Sequence, residues 1–89
     1  MNVIFDTKLV SDLKKLKRGN KRLAELILKK MELFKLKQDL PSLRLHKLTG
    51  SMRDLWSISI NESIRMIFYY VDENTVNFID IGKHEEVYK

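Results

Sequence analysis

Ile64-Arg65-Met66-Ile67-Phe68-Tyr69-Tyr70-Val71 is the stretch that decides the fold. It is too short for a typical helix, nearly unbroken in apolar and aromatic side chains, and rich in strand-forming types. That pattern predicts a central strand covered on both faces. Asn61-Glu62 reads as a tight connection before it and Asp72-Glu73-Asn74 as a turn after it. Upstream, Trp56, Ile58 and Ile60 alternate with Ser57 and Ser59, a strand with one apolar face. Downstream, Thr75 to Ile81 reads as the last strand, ended by Gly82, and Lys83 to Lys89 as a polar tail. Further upstream, Thr49-Gly50-Ser51 marks a turn. Before it, Leu43 and Leu45 alternate with Arg44 and His46, a period of two that begins after Pro41.

The N-terminal part follows a different period. Val3-Ile4-Phe5 is a short apolar run expected as a strand. Asp6 is a candidate N-cap, with Phe5 and Val10 spaced as a hydrophobic staple. Leu9, Val10, Leu13 and Leu16 recur at helical spacing, and Gly19 is placed to end that helix. Asn20 can cap a second helix with the stripe Leu23, Leu26, Ile27, Met31 and Phe34. So short a link requires an antiparallel helix hairpin. The expected order is β-α-α-β-β-β-β. This is an α+β fold in which an N-terminal strand and the hairpin pack on a mainly antiparallel sheet of four to five strands, the far face partly open. Residues 1–89 are expected to form one domain.

Composition narrows the function. The 89 residues carry 17 Lys+Arg against 12 Asp+Glu, net +5, with 33% charged and 44% hydrophobic positions. That balance argues against disorder and against a membrane-embedded chain. Residues 1–40 carry 11 basic and 5 acidic groups, whereas residues 62–89 carry three basic and six acidic. A basic first part suits a polyanion or an acidic protein, or simply a solvated lysine-rich helix surface. Cysteine is absent, which removes disulfides, thiolate zinc sites and cysteine nucleophiles and fits a reducing cytoplasm. There is no signal-like segment and no apolar run long enough to span a membrane. The reading is a cytoplasmic protein that starts at its natural methionine.

Few residues can carry chemistry. Arg65 is the one charge inside the central strand. It requires either an ion pair, with Asp80 or Glu62 as candidates, or a role gripping a phosphate from the open face. His84, after Gly82-Lys83 and before Tyr88, is either a proton donor or acceptor or a plain surface histidine in the tail. His46 sits between Arg44 and Lys47 in sequence; if its strand borders that of Arg65, these groups could surround one phosphate. Two histidines 38 positions apart, without clustered carboxylates, offer no metal-ligand set, so no metal or other cofactor is expected. There is no Gly-rich phosphate loop and no serine in a nucleophile elbow.

Four segments in order carry a resemblance: His46-Lys47-Leu48-Thr49-Gly50, Trp56-Ser57-Ile58-Ser59-Ile60, Ile64-Arg65-Met66-Ile67-Phe68 and Ile81-Gly82-Lys83-His84-Glu85-Glu86-Val87-Tyr88. Together with the element order they resemble the RelE/ParE superfamily of toxin–antitoxin toxins, and the ending is similar to that of RelE- and YafQ-like members. The resemblance implies a ribosome-dependent mRNA endonuclease acting in the A site without metal, and a hetero-oligomer with a cognate antitoxin. It implies Arg65 as the stabiliser of phosphorane charge, His84 as general acid, His46 as candidate base and Tyr88 as a stacking or orienting aromatic. Arg44, Lys47, Arg53 and Lys83 would bind RNA phosphates, and the lysine-rich helices would lie on ribosomal RNA. The middle-strand histidine–aspartate pair of YafQ-like toxins is missing, with Ser57 and Ser59 in that region. The ParE branch of the superfamily, which poisons DNA gyrase without cutting RNA, is the alternative, and a homologue that only binds its antitoxin is a third reading.

Overall fold

The computed structural model describes residues 1–50 and 54–83. Strand β1 (Asn2–Phe5) leads into helix α1 (Thr7–Gly19) and helix α2 (Lys21–Leu36). A 3-10 turn at Pro41–Leu43 precedes strands β2 (His46–Lys47), β3 (Leu55–Ser59), β4 (Ile64–Asp72) and β5 (Thr75–Lys83). The five strands form one sheet in the order β1-β5-β4-β3-β2. Strands β2 to β5 are an antiparallel meander, and β1 joins the edge parallel to β5. The α+β expectation, the helix hairpin and the central place of β4 all hold.

Hydrophobic burial holds the two layers together. Leu9 of α1 and Ile27, Met31 and Phe34 of α2 are buried against Ile58, Met66, Phe68, Val76 and Phe78 of the sheet. The Phe34 ring meets Phe68 edge-on at 5.2 Å and Phe78 at 5.4 Å, and Phe68 lies 5.0 Å from Phe78. Such pairs add to area burial because a positive ring edge meets a negative face. At the exit of α2 the Gln38 side-chain amide donates to Phe34 O at 2.8 Å, satisfying a terminal carbonyl.

Local details differ from the sequence reading. Gly19 is the last residue of α1 and not a left-handed cap; only Gly50 among the described glycines has positive φ, at 73°. Asn20 serves both helices, donating its backbone N–H to Leu16 O and accepting at its side chain from Leu23 N. Asp6 holds the N-cap position of α1 without a side-chain bond. The strand expected from Leu43 is replaced by the 3-10 turn, because Pro41 starts a turn readily and Leu43 is pulled wholly into the core. Arg44 then reverses the chain at φ 47°, leaving a strand of only His46 and Lys47. Strand β4 is covered on both faces only part of the way; Val71 is exposed. Strand β5 runs on through Gly82 to Lys83, opposite Arg65 and Ile64.

A bulge in β5 matters for the far face. Ile67 pairs with Asp80 but Phe68 pairs with Phe78, so Ile79 is an extra residue. Strict alternation from Val76 and Phe78 would aim Asp80 at the helices. The bulge shifts the phase, so Ile81 joins the core and Asp80 lies opposite Ile67 on the other face.

Candidate functional site

The face turned away from the helices carries the polar residues of the same strands. Across it, His46 pairs with Ser57, Ser57 with Ile67 and Ile67 with Asp80. One step along, Ser59 pairs with Arg65 and Arg65 with Gly82. This face is not bare: Ser57, Ser59, Ile67 and Arg65 are all buried.

Arg65 is the best-defined side chain there. It keeps 8% of its surface exposed and makes no ion pair with any described carboxylate. Its charge is met by oxygens: Nη1 donates to Asn61 O at 2.6 Å, Ser59 Oγ at 3.0 Å and Ile64 O at 3.2 Å. Ser59 Oγ in turn donates to Asn61 O at 2.8 Å. The ion-pair alternative with Asp80 or Glu62 is therefore not what the fold uses; the β3–β4 hairpin wraps its own carbonyls around the guanidinium. All of these bonds fall on one nitrogen. Nη2 and Nε make none among the described residues, so the arginine is anchored at one corner with donors left for an anion.

His46 is exposed, with Nδ1 3.4 Å from Ser57 Oγ, long for a hydrogen bond that involves a hydroxyl. Its strand does not border that of Arg65; β3 lies between them. Two strand spacings and one two-residue step place their Cα atoms roughly 12 Å apart. The two lie on one face, but the structure brings them no closer than opposite sides of Ser57 and Ser59.

The cations fall into two kinds. Lys47 Nζ is 3.1 Å from Asp54 Oδ1 in an exposed pair, which adds little to stability. Arg44 and Lys83 are exposed, Arg44 after the 3-10 turn and Lys83 at the end of β5. The register Ile64 to Lys83 sets Lys83 at the same end of the sheet as the Asn61 turn. Arg53, His84 and Tyr88 lie outside the described residues.

Two features escaped the sequence reading. The alternation with Trp56 and Ile58 placed Ser57 and Ser59 on the face away from the apolar one, but it did not show that both hydroxyls are buried there. Arg44 adopts a left-handed backbone that costs a non-glycine residue roughly 1–2 kcal/mol; nothing in the local sequence announces it. Among the described residues no three His, Asp or Glu side chains gather as metal ligands, and no helix is long and apolar enough to cross a membrane.

Over residues 1–89 the sequence matches the family described as the bacterial toxin of type II toxin–antitoxin systems, YafQ. No curated protein matches the chain by sequence. Among solved structures, the YoeB/ParE toxin from Agrobacterium tumefaciens superposes with a TM-score of 0.78 at 19% identity, covering 94% of this chain and 99% of that one. A toxin from Helicobacter pylori, solved with metal bound, gives 0.78 at 24% identity and 98% of both chains. A chain of the YoeB–YefM complex from Staphylococcus aureus gives 0.75 at 19% identity, covering 94% of this chain and 97% of that one. At these identities the likeness is one of fold, and the full-length family match carries the assignment: the chain belongs to the YafQ family of bacterial type II toxin–antitoxin toxins.

Proposed function

We propose that this toxin is a ribosome-dependent mRNA endonuclease that halts translation by cutting mRNA in the A site. The observation that carries the reading is Arg65: a buried guanidinium with no described carboxylate partner, fixed through Nη1 and keeping Nη2 and Nε for an anion. A charge so placed stabilises a phosphorane more than a ground-state phosphate, because charge builds up during reaction in a site shielded from water.

The reaction follows from RNA itself. The ribose 2′-oxygen attacks the adjacent phosphorus and the bond from phosphorus to the 5′-oxygen breaks. The products are a 2′,3′-cyclic phosphate and a 5′-hydroxyl. A base takes the 2′-hydroxyl proton and an acid supplies one to the leaving oxygen. In this reading His84 is the acid, His46 the candidate base and Tyr88 the aromatic that orients or stacks. Arg44, Lys47, Arg53 and Lys83 hold backbone phosphates. The lysines of α1 and α2 rest on ribosomal RNA. No step uses a metal. The domain spans residues 1–89, acts in the cytoplasm and is neutralised by a cognate antitoxin in a hetero-oligomer; the YoeB–YefM pairing among the fold relatives supports such a partner.

Primer extension on translated messages after brief induction tests the reading. The expected result is new 5′ ends inside reading frames, suppressed by about 10²–10⁴-fold in rate for His84→Ala. Intact message together with gyrase-linked DNA breaks would instead assign the chain to the gyrase-poisoning branch, whose name the Agrobacterium relative also carries. In reconstituted translation at fixed magnesium, cutting is expected to be indifferent to added or chelated transition metals. Activity that tracks one such metal would overturn the metal-free mechanism.

A further inference from the structure

A cleft of about 420 Å³ opens at the end of the sheet where β3 turns into β4, lined by Lys30, Ser42, Arg44, Ser59, Asn61 and Glu62 among others. Its cations come from different elements: Lys30, half-buried, from α2 and Arg44 from the residue after the 3-10 turn. Neither is within ion-pair distance of a described carboxylate. Arg44 is held at φ 47° between the fully buried Leu43 and its own N–H bond to Pro41 O. Such a conformation persists in a non-glycine residue where the surroundings enforce it, and it tends to mark binding sites.

The third wall is prepared in a similar way. Asn61 Oδ1 accepts from Ser63 N at 2.8 Å and Ile64 N at 2.7 Å, so its Nδ2 is the group left to donate. Arg65 clamps the same wall through Asn61 O and Ser59 Oγ. Lys30, Arg44, Ser42 and Asn61 thus offer ammonium, guanidinium, hydroxyl and amide donors, the set that grips phosphate oxygens. The groove between α1 and α2 has a mostly apolar surface, with Phe5, Leu13 and Ile27 inside and Lys14, Lys17 and Glu25 among the residues that also line it.

We infer that the Lys30–Arg44 cleft seats a backbone phosphate of single-stranded RNA next to the cleaved linkage, an inference that rests on the RNA-cleaving reading above. Lys30 becomes an RNA-binding residue, and Glu62 sets an upper limit on affinity because its carboxylate shares the cleft with the anion.

The test uses the full chain and a short fluorescent 2′-O-methyl RNA, which cannot be cleaved, with binding followed by anisotropy across a salt series. Lys30→Ala and Arg44→Ala are each expected to weaken binding several-fold and to reduce the slope of log K against log salt by about 0.7, the value for one phosphate contact on a single strand. Glu62→Gln is expected to tighten binding. Arg44→Gly keeps the backbone turn and loses the cation, so it reports on binding even if Arg44→Ala folds poorly. Slopes unchanged in all four variants would overturn the inference. So would loss of affinity for an acidic peptide with RNA binding intact, which would assign the cleft to a protein. Wild-type cutting of translated mRNA is scored separately: cutting with unaltered variant slopes removes the cleft alone, and altered slopes without cutting remove the nuclease reading alone.

Discussion

Two faces of one sheet make the instructive comparison. On the helix side, Ile58, Met66, Phe68, Val76 and Phe78 fit around Phe34, and nothing there needs a hydrogen bond from a side chain. On the far side, the same strands carry Ser57, Ser59, Arg65, Tyr69 and Asn77 around one buried apolar residue, Ile67. There the order comes from donors and acceptors: Arg65 Nη1 is shared among three oxygens, and Asn77 Nδ2 donates to Tyr69 OH at 2.9 Å. The matching is incomplete, since Asn77 Oδ1 is buried without a partner among the described residues. The helix face is held by volume and the far face by hydrogen-bond geometry, so the two should fail differently.

The largest stability effect belongs to the helix face. Phe34→Ala removes the ring that joins Phe68 and Phe78 and is expected to cost about 3–5 kcal/mol, much of the stability of a small domain. Denaturant unfolding measures it; a loss below about 1 kcal/mol would mean that the layers are held together by something other than this cluster.

Arg65→Ala sharpens the contrast, because it should cost function and stability in separable amounts. Losing the phosphorane contact is worth roughly 2–4 kcal/mol in the rate barrier. Asn61 O and Ile64 O keep Ser59 Oγ and Ile60 N as donors, so the folding loss is that of hydrogen bonds to a charged group, roughly 1.5–3 kcal/mol. Cleavage rate and melting temperature measured on the same protein separate the two. Arg65→Lys should recover more stability than activity, since an ammonium can meet the carbonyls but lacks the guanidinium fork. Equal loss in both quantities for both variants would reduce Arg65 to a brace for the hairpin.

Away from both faces, Asn20→Ala is expected to cost about 1 kcal/mol by orphaning the Leu23 N–H at the start of α2. Circular dichroism melting reads this directly, and no change would show the cap to be redundant in the packed hairpin.

The smallest effect is a pH dependence at the rim of the helix face. Burial holds the Tyr70 hydroxyl above its ordinary 10.0. The folded chain keeps a proton that the unfolded chain gives up, so this contribution is complete below pH 10.0 and is lost as the pH rises through the folded value. Tyr70→Phe should flatten the alkaline decline in melting temperature. A decline as steep as in the wild type would place its cause elsewhere.

The element order, the two helix stripes, the Asn20 cap and the central strand were legible because each is written in a local period: 3.6 in Leu23, Ile27, Met31 and Phe34, and two in Trp56, Ile58 and Ile60. The partner of Arg65 was not legible. Sequence offered Asp80 and Glu62 as carboxylates, but the guanidinium found carbonyls of its own hairpin. The bulge at Ile79 is equally silent in sequence, and it alone determines that Asp80 leaves the core while Ile81 enters it. The strand foreseen at Leu43 yielded to a 3-10 turn because burying Leu43 outweighed two more residues of ladder at the sheet edge.

The sequence by itself determined the apolar stripes of the two helices and of the Trp56–Ile60 strand, where the helices start and that the charge of Arg65 belongs to the central strand. These follow from hydrophobicity and short-range backbone preference, which act between neighbours in the chain. Only the tertiary structure decided that β3 separates His46 from Arg65, that Arg44 turns left-handed toward Lys30, and that Arg65 is anchored through a single nitrogen. Those outcomes depend on strand register and on hydrogen bonds between residues far apart in sequence or in turns, and they are set only when the layers close on Phe34 and Leu43.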